Sequence, residues 1–139
     1  MTVASKRLNL PTKGGGDCID ITEQVRGELK TSSVKDGAAT IFITGTTASL
    51  AVLEWEQGIL EDFRALWEEL VPQGRAYQHN LRQGDDNAHS HARAGVLGQS
   101  LVIPIIDGSL ALGTWQRIVV VDFDTRHRTR EIVLQFMGE

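Results

Sequence analysis

The hydrophobic pattern changes period part-way along the chain, and that change limits the folds it can adopt. Between Gln57 and Leu70, the residues Ile59, Leu60, Phe63, Leu66, Trp67 and Leu70 fall on one helical stripe, with Glu61, Asp62, Glu68 and Glu69 opposite. That stripe is expected to face the core, and Pro72 predicts the stop. From Ser100 onward the period is two. Leu101 to Ile106 is apolar, Asp107-Gly108 is a hairpin-type dipeptide, and Leu110 to Phe123 and Arg128 to Met137 complete a predicted C-terminal β-meander. Upstream, Ala38 to Leu53 reads as strand, divided near Gly45-Thr46-Thr47. Asp20-Ile21-Thr22-Glu23 opens a short helix, Asp20 being placed to accept an N–H, with Ile21, Val25 and Leu29 at helical spacing. The Gly14-Gly15-Gly16 run suits a turn after an N-terminal strand. Two or three helices among about six strands predict a compact α+β fold, largely antiparallel sheet, as a single domain over residues 1–139.

Size and charge narrow the function classes. A chain of 139 residues can bury a real core, and 41% hydrophobic with 23% charged residues is an ordinary globular balance. The net charge of -4 argues against nucleic-acid or anionic-membrane partners, which call for surplus Lys and Arg. One cysteine, Cys18, excludes an internal disulfide and reads as a small buried side chain. The N-terminus lacks the apolar stretch of a secretory signal, so a cytoplasmic location is expected.

Three of the four histidines lie close together, in Tyr77-Gln78-His79-Asn80 and Asp86-Asn87-Ala88-His89-Ser90-His91. Imidazole is a common ligand for a zinc-like divalent cation, and a pair of ligands joined by a third from a neighbouring segment is a usual arrangement. His89 and His91 share a face only on extended backbone. If Asn87 caps a helix through Leu97 they point apart, and one of them is left to pair with His79. Asp85 and Asp86 are candidates to orient an imidazole or to ligate. The alternative is polar loop histidines in water. Arg126, Arg128 and Arg130 alternate, and their guanidinium groups suit a phosphate or carboxylate, or else defend a solvated strand edge. Glu54 and Glu56 flank Trp55 as candidate acid/base groups or as ordinary surface carboxylates.

Four motifs in order resemble the YjbQ family: Gly45-Thr46-Thr47-Ala48-Ser49-Leu50 with Glu54 downstream, Tyr77-Gln78-His79-Asn80, Asp86-Asn87-Ala88-His89-Ser90-His91, and Gly108-Ser109-Leu110-Ala111-Leu112-Gly113-Thr114-Trp115-Gln116. The resemblance implies an α+β protein assembling as a homotrimer, sometimes labelled a secondary thiamine-phosphate synthase. It implies His79, His89 and His91 as metal ligands, Thr46, Glu54 and Gln116 as catalytic, and Thr47 and Trp115 around a small phosphorylated substrate, whose non-reacting phosphate the alternating Arg128 and Arg130 would hold. Trp115 would stack on a ring or serve as a core or interface aromatic. Where the family carries a histidine this chain has Gly45, which implies a weakened divalent-metal site or a missing acid/base. The expected function is metal-assisted chemistry on a small phosphate-bearing substrate. The competing expectation is a non-catalytic trimeric metal- or anion-binding protein.

Overall fold

The computed structural model describes residues 1–139. In chain order the elements are β1 (Thr2–Thr12), β2 (Asp17–Asp20), α1 (Thr22–Ser32), β3 (Gly37–Ile43), β4 (Ala48–Leu53), α2 (Gln57–Leu70), α3 (Gln78–Gln83), α4 (Ala88–Leu97), β5 (Ser100–Ile106), β6 (Ser109–Leu110), β7 (Arg117–Asp122) and β8 (Arg128–Gly138). All strand pairings are antiparallel, in a five-stranded sheet ordered β1-β8-β3-β5-β6 and a three-stranded sheet ordered β2-β7-β4. The class is α+β. No helix is long and apolar enough to cross a membrane.

Two expectations are corrected. Four helices form rather than two or three, because α3 is a six-residue polar helix too short to display a period. The C-terminal strands do not run as a meander either. Only β5 and β6 form a hairpin, through Asp107 and Gly108, both at positive φ; β7 crosses to the smaller sheet, and β8 inserts between β1 and β3.

The behaviour of β7 has a physical cause. Ile118 and Val120 point into a core of 17 buried residues shared by both sheets and α1, whereas Val119, Val121 and Phe123 point into a second core of eight beneath α2 and α4. A strand apolar on both faces is stable only between two layers, so the three-stranded sheet lies between the larger sheet and the helices. Helix α2 begins where the Glu56 carboxylate accepts the Gly58 and Ile59 N–H groups. Its stripe is wider than the surface it covers. Leu60 and Trp67 are buried, with Trp67 packed edge-on against Phe63 and Phe123, while Ile59, Leu66 and Leu70 remain exposed. Asp20 holds the Thr22 N–H and hydroxyl at the start of α1. The Gly14–Gly16 turn docks on the end of β7, donating from Gly15 and Gly16 to the carbonyls of Asp124 and Asp122. A side chain at Gly14 would collide with the Asp124 carbonyl.

Candidate functional site

The polar end of the three-stranded sheet is organised by two buried carboxylates. Alternation along Asp122-Phe123-Asp124 sends the phenyl ring into the helix-covered core and both carboxylates to the other side. There they meet the first residues of β8. Arg130 donates to Asp122 through Nε at 2.6 Å and Nη2 at 2.9 Å, a two-point pairing that fixes the guanidinium plane. Arg128 donates to Asp124 through Nε at 3.1 Å. The Thr47 hydroxyl donates to Asp124 at 2.8 Å and accepts from Arg130 Nη2 at 2.7 Å, so its one proton is already committed. Burial alone would raise the Asp124 pKa. Hydrogen bonds from the Thr125 N–H, the Thr47 hydroxyl, the Asn87 amide and Arg128 outweigh it and lower the value to about 2.

With Nε and Nη2 of Arg130 committed, Nη1 remains. It lies beside Gly45, whose φ is 98°, and a Cβ built on that glycine would stand 2.9 Å from it. The missing side chain leaves the backbone open at the point where this buried arginine presents its last donor. Thr46, next in sequence, is exposed.

The histidines join this end through Asn87. Because α4 is a helix, His89 and His91 are separated by roughly 200° around its axis and diverge. His91 turns to His79, with ring centroids 4.7 Å apart. His89 turns inward, 2% exposed, with Nε2 3.3 Å from the Ser90 hydroxyl oxygen and Nδ1 without a partner. Burial and the neighbouring Arg93 lower its pKa, which keeps it neutral. The three expected ligands therefore do not assemble, and no three His, Cys, Asp or Glu side chains converge on one point. Between His79 and His91 the chemistry is more specific. Asn87 donates through Nδ2 to Asp124 at 3.3 Å, so its Oδ1, 3.1 Å from His79 Nε2, must accept the imidazole proton. Asp85 lies 3.7 Å from the same nitrogen. This assignment leaves His79 Nδ1 as the free lone pair and makes Asn87 and Asp85 orienting partners.

Glu54, Trp115 and Gln116 are elsewhere. The Gln116 side-chain Oε1 accepts the Gly113 N–H at 2.7 Å, closing its own turn. Glu54 and Trp115 line a cleft of about 420 Å3 with Asp20, Trp55, Glu56, Thr114 and Arg117. Thr47 and Glu54 flank opposite ends of β4, ~20 Å apart at about 3.3 Å per residue. On one chain the candidate residues form two groups.

The pattern described as UPF0047 protein YjbQ-like matches residues 6–139. The chain belongs to the YjbQ-like UPF0047 family. A UPF0047 protein of Archaeoglobus fulgidus is 41% identical over 92% of this chain and 97% of its own. The Bacillus subtilis UPF0047 protein YugU is 31% identical over 96% and 98% of the two chains. A crystal structure from Sulfolobus solfataricus, described as a YbjQ-like protein of unknown function, superposes with a TM-score of 0.94 at 35% identity, covering 99% of this chain and 98% of that one. Within this YjbQ-like chain, sequence reasoning missed Asp122 and Asp124 and weighed Asn87 only as a helix cap, whereas its side chain makes no cap bond and links His79 to Asp124 instead. A signal existed: two aspartates at alternate positions end an otherwise apolar strand, and two arginines with the same alternation open the next one.

Proposed function

We propose that the Thr47 end of the sheet binds a small phosphate-bearing molecule for metal-assisted chemistry. The carrying observation is Arg130: anchored on Asp122, it directs Nη1 into the space left by Gly45, where an anionic oxygen can approach the backbone. Arg128, 40% exposed at its side chain, and the exposed Thr46 hydroxyl supply further donors. Because Asp122 and Asp124 already balance the two arginines, binding depends on directed N–H groups more than on net charge.

A divalent ion fits the remaining donors in part. The His79 ring, with Nδ1 uncommitted, and the His91 ring stand 4.7 Å apart between centroids, and the other coordination positions would come from the ligand's oxygens and water. Such an ion supplies charge stabilisation at a phosphate or pyrophosphate leaving group. The chain's own part is to fix the non-reacting oxygens with Arg128 and Arg130 and to hold the His79 tautomer through Asn87. Thiamine phosphate formation is the reaction of this class that the family resemblance suggests.

One observation favours a purely binding role. Glu54 and Gln116, the carboxylate and amide expected to act on substrate, lie at the opposite end of β4 from the histidines. Assembly bears on this. We propose a homotrimer formed through the outer face of the five-stranded sheet, where Val3, Phe42, Val102, Ile106 and Met137 are exposed. The deciding experiment is pyrophosphate binding by calorimetry with and without Mn2+, beside an assay of phosphorylated thiazole and pyrimidine pyrophosphate. The proposal expects binding strengthened by the metal, loss of that gain in His79→Ala, and turnover. Binding without turnover establishes the non-catalytic reading; no pyrophosphate binding overturns both.

A further inference from the structure

The cleft at the other end of the sheet has a composition that the phosphate site does not use. We infer that it is a separate binding site for an organic ammonium ion. Two indoles, Trp55 at 44% and Trp115 at 72% exposure, stand in its lining, although large aromatic surface is ordinarily buried. Three carboxylates, Asp20, Glu54 and Glu56, share the lining with one cation, Arg117. That leaves two formal negative charges.

The bonding of each charged group shows which one awaits a ligand. Asp20 pairs with Arg117 at 2.8 Å and also caps Thr22. Arg117 also pairs with Glu23 through Nη2 at 3.3 Å, so two carboxylates already balance its single charge and only Nη1 is left without a partner. Glu56 is committed to the first N–H groups of α2. Only the Glu54 carboxylate has no side-chain partner or capping role. It stands next to Trp55, on the loop between β4 and α2, and Trp115 reaches the same cleft from the loop before β7. An aromatic face attracts a cation through its quadrupole, and an adjacent unpaired carboxylate supplies the counter-charge; together they select a weakly hydrated ammonium over a neutral molecule of the same shape. A volume of about 420 Å3 accommodates a small molecule of that kind.

The test compares choline with 3,3-dimethylbutan-1-ol, its uncharged carbon isostere, by titrating the full chain and following the indole N–H resonances. Trp67, on the buried face of α2, is the internal reference. The expected result is saturable shifts of the Trp55 and Trp115 signals alone, with choline about tenfold tighter than the isostere. Glu54→Gln should abolish that preference while leaving the spectrum folded, and Trp115→Ala should remove binding of both probes. Saturating pyrophosphate should change none of these affinities, which separates this site from the phosphate end. Equal affinity for the two probes, an unchanged preference in Glu54→Gln, or no shift at either exposed indole overturns the proposal.

Discussion

Asp124 accepts from Thr47, Asn87, Arg128 and the Thr125 N–H while fully buried, and these bonds rather than its burial set its acidity. Its folded pKa of about 2 lies below the reference 3.8, so the folded state binds this proton less readily than the unfolded one. The resulting stability is complete above about pH 4 and disappears as pH falls towards 2; a shift of this size corresponds to about 2 kcal/mol. Urea unfolding across pH 2 to 6 should show that limb, and Asp124→Asn should flatten it. Gly45 gives a second prediction. Gly45→Ala places a methyl against Arg130 Nη1 at positive φ, and should cost about 1–2 kcal/mol in thermal unfolding and weaken pyrophosphate binding. For the same reason Gly45→His would not simply restore a family-like site. The histidine cluster was legible, and so was its division if a helix runs through Leu97; which of the two imidazoles turns to His79 was not, because it depends on how α4 is rotated against the sheet, and that rotation puts His89 in the core. Asp122 and Asp124 escaped notice because their meaning lies in Arg128 and Arg130, which arrive from the next strand.

Helix α2 was readable to its ends, because a regular apolar period and Pro72 after it are both local, although the capping role of Glu56 was not read. Strand β7 was not. Its unbroken Ile118-Val119-Val120-Val121 run reads as any buried strand, and which layers enclose it depends on elements distant in sequence. The two-sided burial is testable. Val120→Ala and Val121→Ala point to opposite faces, yet each should lower stability by about 2 kcal/mol in denaturant titration. A strand with one wet face would show a loss at only one of them. The cap on α2 is a smaller effect, and Glu56→Ala should cost about 1 kcal/mol.

For the whole molecule, the α+β class followed from the change of period, whereas the strand order did not. Period two says that a segment is a strand and is silent on its neighbour, so consecutive strands were taken to pair although β7 and β8 belong to different sheets. The outer face of the larger sheet carries the proposed assembly. Sedimentation should give a trimeric mass that Phe42→Glu reduces to a monomer's, and a monomeric parent protein would overturn that arrangement. The position of β8 has one more consequence. It lies between β1 and β3 and pairs with both along most of its length, so the strands on either side wait for a segment over a hundred residues downstream of the first. During vectorial synthesis, β1 and the edge of β3 not covered by β5 therefore have no sheet partner until β8 has been made. The closing step of the larger sheet is thus non-local and late, and an edge left bare in the meantime is a surface on which other chains can pair.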